Sequence, residues 1–294
     1  MKKLLLETRP QFLILSVILA FLGTAIAWYD GSFNFGYALL AATGLLLAHI
    51  SVNTLNDYFD YKSGVDFNTK RTPFSGGSGF LPSGILSSTQ VFWLGTGSLL
   101  LAIPIGVFFI IDKGWQLLPL LIVAVICVVL YTPLILKTYW PEWAPGLGLG
   151  ILPVLGMYFI QTGEYNLPVF IASVPSGILV HNLLLINEFP DVEADRKYGR
   201  KTTPITIGLS KASLFYSVMT IAVYVWVIIF VIAAIMPVYC LLAILTLPFA
   251  IKAIRGSMRY DDLNLLVPAL GSNVLVVLIT QLLLGIGYIL AGVL

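Results

Sequence analysis

The segment Asn56-Asp57-Tyr58-Phe59-Asp60-Tyr61-Lys62-Ser63-Gly64-Val65-Asp66 places three aspartates at the end of a long apolar run. A second segment, Asn187-Glu188-Phe189-Pro190-Asp191-Val192-Glu193-Ala194-Asp195, stands in the same relation to another apolar run. Aligned on their asparagines, both motifs read Asn-acid-aromatic-x-Asp. Residues four apart share one face of a helix, so a helical second motif would carry Asn187, Asp191 and Asp195 as one stripe. Carboxylates are costly beside a membrane core, so their concentration at two such places indicates a functional site.

The composition outside these motifs is that of a membrane protein. Of 294 residues, 59% are hydrophobic and only 10% are charged, whereas a soluble domain carries about 25% charged residues. The two cysteines, Cys127 and Cys240, lie inside apolar runs, so neither indicates a disulfide or a metal site. The predicted surroundings are a lipid bilayer, and no nucleic-acid partner is expected.

Nine apolar stretches are long enough to cross a bilayer as helices of about 20 residues. The predicted fold is therefore all-α, with nine transmembrane helices in a bundle and a cap of the loops 57–89 and 189–210 over a central cavity. The predicted spans are 10–29, 36–56, 90–111, 116–136, 143–162, 167–188, 211–234, 237–254 and 267–292.

The positive charges predict the orientation, because cytoplasmic loops are enriched in lysine and arginine. With a cytoplasmic amino terminus and nine spans, only Lys113 of the 16 lysines and arginines falls outside. Both motifs then face the cytoplasm, in a multi-pass protein of the cell (inner) membrane.

The motifs also predict an internal duplication. They are four spans apart, as a repeated four-helix unit requires, so one domain 1–294 would consist of repeats 10–140 and 143–255 followed by a ninth helix, 267–292. The two acid clusters would then face each other across the cavity.

The residue types at the motifs predict a diphosphate site. Clustered carboxylates repel one another unless they are protonated, paired with cations or bound to metal, and all-oxygen ligands favour Mg²⁺. Basic residues that would attract an anion are interleaved with the acids, and apolar helices above would hold a lipid tail. These bases are Lys62, Lys70, Arg71, Arg196, Lys197, Arg200 and Lys201. Cytoplasmic topology without any catalytic role would explain at least half of a set that includes Lys137 in place of Lys70.

This pattern resembles the UbiA superfamily of intramembrane prenyltransferases, whose motifs are Asn-Asp-x-x-Asp with a further Asp, and Asp-x-x-x-Asp. The resemblance extends over most of the chain, including a Tyr131…Lys137 pair after the fourth helix. It implies Mg²⁺-dependent transfer of an isoprenyl group from a prenyl diphosphate to an aromatic acceptor. The implied metal ligands are Asp57, Asp60, Asp66, Asp191 and Asp195; the implied catalytic residues are Asp57, Asp60, Asp191, Asp195 and Lys137; and the implied substrate-binding residues are Asn53, Asn56, Lys62, Arg71, Tyr131, Asn187, Arg196 and Lys201.

The glycine-rich loop 70–79 and the following Leu81-Pro82-x-Gly84 are most similar to the branch that prenylates 1,4-dihydroxy-2-naphthoate. Alternative acceptors are 4-hydroxybenzoate, another polycyclic phenol or a glycerol phosphate lipid. An alternative of another class is a membrane transporter with an interfacial ion site.

Several polar residues also have simpler interpretations. Asp66 follows a glycine and could be an ordinary loop acid. His49 and Asn53 share a helix face with Asn56 and would line the cavity, although interhelical hydrogen bonds would explain them equally well. His181 and Asn182 have no role in the family pattern.

Overall fold

The computed structural model describes residues 2–69 and 71–294, and no strand occurs in that part of the chain. Met1 and Lys70, the latter one of the interleaved bases, lie outside the described residues. Eight helices are long and apolar enough to cross a membrane, and Trp115–Leu130 is a shorter apolar helix. The predicted all-α bundle of nine helices is confirmed for the described residues. The helices are Pro10–Tyr29 (α1), Phe35–Ser63 (α2), Ser88–Lys113 (α3), Trp115–Leu130 (α4), Trp143–Thr162 (α5), Leu167–Asn187 (α6), Leu209–Ile232 (α7), Val238–Ser257 (α8) and Leu263–Val293 (α9).

Local capping chemistry fixes where several helices begin. The side chain of Asn34 accepts a hydrogen bond from the backbone N–H of Tyr37 at the start of α2. Asn166 does the same for Val169 at the start of α6, and Ser87 and Gln90 form a reciprocal capping box at α3. Each cap gives a partner to a backbone N–H that the helix itself leaves free.

The first acidic motif lies on an unbroken helix. Helix α2 continues seven residues beyond its predicted end at 56 and carries both Asp57 and Asp60 in its last turns. It ends at Gly64, whose φ of 87° is left-handed and whose N–H returns to the carbonyl of Asp60. The first motif is therefore helical, with Asp57 and Asp60 about one turn apart.

The second acidic motif is not continuous, and the predicted helical stripe of Asn187, Asp191 and Asp195 is wrong. Helix α6 ends at Asn187, Phe189–Asp191 form a 3₁₀ turn, and a new short helix spans Val192–Lys197. Pro190 has no backbone N–H, and it disfavours helical geometry in the residue before it. The α-helix tightens into a 3₁₀ turn there, so Asp191 ends that turn and Asp195 lies in the following short helix.

Two other spans differ from their predicted form. Helix α4 ends at Leu130 rather than at 136, because Pro133 lies just beyond and restricts Thr132. Helix α8 begins with a 3₁₀ stretch, Val238–Thr246, before it becomes α-helical.

The second half of the bundle packs through close helix crossings. A Cβ at Gly150 of α5 would lie 2.7 Å from the Gly177 Cα atom of α6, and a Cβ at Gly287 of α9 would lie 2.8 Å from the Tyr239 carbonyl oxygen of α8. Only glycine permits such approaches, which are typical of membrane helices.

The loops at the motif end of the bundle form the predicted cap. Asn68, after the first motif, donates a hydrogen bond of 2.7 Å to the Tyr198 hydroxyl and accepts one of 3.3 Å from Lys197. The backbone N–H of Lys201 donates to the Leu136 carbonyl, and that of Trp140 donates to the Lys201 carbonyl. These contacts join the loops that follow α2, α4 and α6 above the two motifs.

Candidate active site

A large cavity in the bundle lies directly below the motifs. It measures about 580 Å³ and is enclosed by α1–α6 and α9, with mostly apolar walls. That volume falls within the usual range for ligand sites, roughly 300–1,000 Å³. Several wall residues on α3 and α4 are also exposed on the outer surface, so the cavity reaches the lipid-facing side of the bundle. They are Ile103, Val107, Leu118 and Ile122.

The polar end of the cavity contains four residues that the sequence associates with substrate: Asn53, Asn56, Tyr131 and Asn187. Asn56 donates hydrogen bonds to Asp60 and, across the cavity mouth, to Thr132. Asn53 donates to the backbone carbonyl of Thr8 at 3.1 Å. Asn53 thus combines the two interpretations given above, because it lines the cavity and also fixes a neighbouring segment.

In the first motif, each carboxylate oxygen of Asp57 and Asp60 has a protein partner. One oxygen of Asp57 forms an ion pair with Arg9, and the other accepts the backbone N–H of Ser78 at 2.9 Å. Asp60 pairs with Arg200 through one oxygen and accepts from Asn56 through the other. Both aspartates are buried, so these partners replace the water that burial removes.

The second motif is only partly occupied. Asp195 accepts a 2.8 Å hydrogen bond from Nη1 of Arg200. In contrast, one side-chain oxygen each of Asn187 and Asp191 is buried without a hydrogen-bond partner in the part of the chain described. A buried carboxylate oxygen without a partner is unfavourable in the ligand-free protein, and it is available to an incoming donor or metal.

The glycine-rich loop closes over the first motif. Gly76, Gly77 and Gly79 have φ between 73° and 84°, which glycine adopts at little cost. A Cβ at Gly77 would lie 3.3 Å from Asp66, 3.4 Å from Arg9 and 3.4 Å from Asp57. The loop backbone therefore passes close to the charged centre.

A second, smaller cavity of about 280 Å³ lies outside the first, with the glycine-rich loop as one wall. Arg9, Gln11, Phe12 and Phe74 line both cavities. A Cβ at Gly271 of α9 would lie 3.3 Å from the Phe74 ring, so the ring packs close to that glycine. These four residues form the boundary between a polar outer chamber and the apolar inner one.

Burial shifts the acidity of the groups in the loops around the site. It raises the pKa of Asp66 to about 6, against the opposing effect of Arg9, Arg71 and Arg200. Burial likewise raises the pKa of Glu7, whose carboxylate accepts a 2.6 Å hydrogen bond from Ser78. Burial by itself would lower the pKa of the Arg200 guanidinium. The carboxylates of Asp60 and Asp195 together have the larger effect and raise that pKa. Both arginines in the site remain cations.

The structure places the other predicted basic residues at the edge of the site. Lys62 lies 5.7 Å from the ring of Tyr58, and Lys201 lies 4.6 Å from that of Tyr139. Arg71 donates to the Gly76 carbonyl and so supports the glycine-rich loop. Lys137 is exposed at the end of the 3₁₀ turn Ile135–Lys137, and Arg196 is exposed beside Glu193. The catalytic role of Lys137 and the substrate-binding roles of these bases stay predictions.

Sequence reasoning missed the two residues with the strongest contacts in the site. Arg9 immediately precedes α1 and looks like an ordinary flanking charge, and Arg200 is one of several bases after the second motif. Their spacing carries no distinguishing signal, because both reach the carboxylates through the fold. His49 lines the large cavity and also forms a buried interhelical hydrogen bond with Ser16, so both of its interpretations hold. Asn182 forms a buried interhelical hydrogen bond with Thr220.

A membrane-spanning helical bundle in which two carboxylate motifs meet at the mouth of an apolar cavity defines an intramembrane prenyltransferase. The chain belongs to the UbiA prenyltransferase family, whose model matches residues 16–267. It is thus an enzyme that transfers prenyl groups, and the alternative of a transporter is set aside.

Curated relatives extend this assignment. The chain is 30% identical to the 1,4-dihydroxy-2-naphthoate octaprenyltransferase of Bacillus subtilis, over 88% of this chain and 84% of that enzyme. It is 26% identical to the enzyme of the same name from Escherichia coli, over 96% and 94% of the two chains. A digeranylgeranylglyceryl phosphate synthase from Thermococcus kodakarensis is 27% identical over 70% of this chain and 69% of that one.

Solved structures agree with the fold. A UbiA homologue from Aeropyrum pernix K1 aligns with a TM-score of 0.67 at 19% identity, over 90% of this chain and 98% of that one. A UbiA homologue from Archaeoglobus fulgidus, solved bound to GPP and Mg²⁺, aligns with a TM-score of 0.63 at 15% identity, over 98% and 99%.

The donor atoms at the motifs suit Mg²⁺. No three acidic, histidine or cysteine side chains among the described residues already converge on a metal position. Mg²⁺ does not require such a cage, because it usually binds one or two carboxylates, substrate phosphates and water. The unpartnered oxygens of Asp191 and Asn187 are ligands of the hard oxygen type that this ion prefers.

Proposed function

We propose that this protein transfers an isoprenyl group from a prenyl diphosphate to 1,4-dihydroxy-2-naphthoate in a Mg²⁺-dependent reaction of menaquinone-type quinone synthesis. The observation that carries the proposal is the meeting of two carboxylate motifs at the polar end of an apolar cavity. The names of the naphthoate relatives support the choice of acceptor.

The diphosphate would lie between the motifs. Asp57, Asp60, Asp66, Asp191 and Asp195 would hold the metal, and the arginines would bind phosphate oxygens. When bound, Mg²⁺ neutralises the negative charge that develops on the departing diphosphate. Among the chain's own groups, Arg200 and Arg9 supply positive charge at the same place, where electrostatic stabilisation acts most strongly because water is excluded.

The prenyl chain would occupy the large cavity. Its walls are apolar, and the gap toward the lipid-facing residues of α3 and α4 gives a long tail a path into the bilayer. Phe12, Phe74 and Tyr131 line the end nearest the motifs. Their ring faces attract positive charge and would shelter an allylic cation as its C–O bond breaks.

The acceptor would enter through the outer chamber beneath the glycine-rich loop. Arg9 belongs to both chambers and can meet a carboxylate there. The ring would approach the cation across the boundary that Phe12 and Phe74 form. As the new C–C bond forms at the carboxyl-bearing carbon, loss of CO₂ returns the bonding electron pair to the ring and restores its aromaticity, so no net proton is taken up or released.

The motif face would lie in the cytoplasm of a cell (inner) membrane, as the distribution of lysine and arginine predicts. Single cysteines at positions 75 and 199 test this topology in intact cells. Labelling by a membrane-impermeant reagent only after the cells are opened agrees with it, and labelling of unopened cells contradicts it. The internal duplication 10–140 and 143–255 remains part of the proposal, supported by the parallel placement of the two motifs.

The acceptor is tested by incubating purified protein with Mg²⁺, a prenyl diphosphate and either carboxyl-labelled dihydroxynaphthoate or 4-hydroxybenzoate. We expect release of labelled CO₂ together with a prenylated naphthoquinol. Product from 4-hydroxybenzoate alone would overturn the acceptor, and a glycerol phosphate acceptor, tried in parallel, checks the activity named for the archaeal relative.

A further inference from the structure

Arg200 is the one side chain among the described residues that bonds to carboxylates of both acidic motifs. Its guanidinium donates 2.8 Å from Nη1 to Asp195 and pairs through Nη2 with Asp60. The side chain is 13% exposed, and Asp195 is buried beneath it. Its backbone N–H also donates to the carbonyl of Asp195, so both the backbone and the side chain of Arg200 are fixed by hydrogen bonds.

This position places Arg200 in competition with a metal ion. A metal cation bound to the same carboxylate oxygens would lie next to the guanidinium, and the two positive charges would repel each other. Asn56 donates to the second oxygen of Asp60, so both oxygens of that carboxylate already have a donor. Metal binding to Asp60 and Asp195 is therefore weakened while the guanidinium stays in place.

A diphosphate offers the released guanidinium a better partner. Its oxygens match the planar fork of arginine and form charge-assisted hydrogen bonds in pairs. In the same exchange, the unpartnered oxygens of Asp191 and Asn187 gain a cation.

We propose that Arg200 is a positioning residue that holds Asp60 and Asp195 together before the metal arrives and then transfers its hydrogen bonds to the diphosphate. The inference rests on the proposed function, because it takes Mg²⁺ and a diphosphate as the ligands. It predicts opposite effects of Arg200 on the two: the side chain weakens binding of Mg²⁺ alone and strengthens binding of diphosphate to the Mg²⁺-loaded protein.

The test measures thermal unfolding of the full-length protein in detergent while MgCl₂ is titrated, and then while inorganic pyrophosphate is titrated at saturating MgCl₂. Arg200→Gln should bind Mg²⁺ about tenfold more tightly than the wild type and pyrophosphate about tenfold more weakly, the scale of one hydrogen bond to a charged group. Arg259→Gln is the control, since Arg259 is an exposed arginine in the turn between α8 and α9 and belongs to neither motif; both affinities should be unchanged.

Arg200→Lys keeps the proposal testable if the glutamine variant does not fold. An ammonium cannot bond to both carboxylates as a fork does, so both affinities should shift in the same directions by less. Equal Mg²⁺ affinity in the wild type and the Arg200 variants, or weaker Mg²⁺ binding in the variants, would overturn the exchange and leave Arg200 with a purely structural role.

The same titrations separate failure of the inference from failure of the proposed function. If the wild type transfers prenyl groups and binds both ligands, and the Arg200 variants bind them with the same affinities, only the proposed exchange of hydrogen bonds is overturned. A wild type that responds to neither ligand and yields no product overturns the proposed function, and the exchange with it.

Discussion

The two acidic motifs face the same site, yet they differ in how many of their side-chain oxygens have a hydrogen-bond or ion-pair partner within the protein. All four carboxylate oxygens of Asp57 and Asp60 have protein partners. In the second motif, Asp191 and Asn187 each keep one buried oxygen without a partner in the described chain. Asp57 and Asp60 are thus held in place by the protein, whereas Asp191 and Asn187 leave positions that a ligand would complete.

The difference follows from the backbone. The first motif continues α2 without a break, so its carboxylates have fixed positions that Arg9 and the glycine-rich loop can reach. Pro190 interrupts the second motif and leaves Asp191 at the end of a 3₁₀ turn. A turn of this kind aims a side chain independently of the helices on either side.

The largest expected effect is loss of turnover when either motif is neutralised. Asp57→Asn and Asp191→Asn should each lower kcat by about 10²-fold or more, the scale of removing a group that stabilises transition-state charge. Steady-state prenyl transfer at saturating Mg²⁺ measures it. Near-normal kcat in either variant would remove that motif from the proposed site.

The same two variants should differ in stability, which sharpens the comparison. Asp57→Asn leaves Arg9 without its charged partner in a buried position, and breaking such a pair costs about 3 kcal/mol. Asp191→Asn removes a carboxylate whose oxygen has no partner, so we expect no loss, or a small gain. Unfolding in detergent without metal measures both, and equal destabilisation would contradict the contrast between the motifs.

The loops of the two motifs offer a matched pair of glycines. Gly77 and Gly199 have φ of 73° and 78°, so alanine at either costs about 1 kcal/mol in the left-handed region. Only at Gly77 would the new Cβ crowd Asp66, Arg9 and Asp57; at Gly199 nothing lies within 4 Å. Gly77→Ala should therefore cost about 2 kcal/mol in total and weaken Mg²⁺ binding, whereas Gly199→Ala should leave Mg²⁺ binding unchanged.

The smallest expected effect concerns pH. The pKa of Asp66 is raised to about 6, so its protonated form is favoured by folding of the metal-free protein. The stability that Asp66 contributes is fully present below its unfolded pKa of about 3.9 and is lost as pH rises through 6. The stability of the metal-free wild type, measured relative to Asp66→Asn, should accordingly fall between pH 4 and pH 7. A flat difference across that range would contradict the raised pKa.

Much of this architecture could be predicted from the sequence. Apolar runs of membrane length predict the helices, and spacing places Asp57 and Asp60 on one helical face. Helix α4 ends early before Pro133, and the second motif contains a 3₁₀ turn at Pro190. The length of an apolar run predicts neither change, because both depend on how proline restricts the backbone. Arg9 could not be found this way, because its partner Asp57 lies 48 residues away. Arg200 is one of the predicted bases and lies five residues from Asp195, but its pairing with Asp60, 140 residues away, exists only in the folded bundle.

The central claim is that both motifs bind one metal–diphosphate unit and that the second motif supplies the open ligand positions. Crystals grown with Mn²⁺ in place of Mg²⁺ and with inorganic pyrophosphate test it through the anomalous scattering of manganese. We predict a manganese peak within bonding distance of Asp191, with the pyrophosphate between the motifs and Arg200 turned toward it. A manganese peak that contacts neither Asp191 nor Asp195, or pyrophosphate bound away from both motifs, would contradict the account.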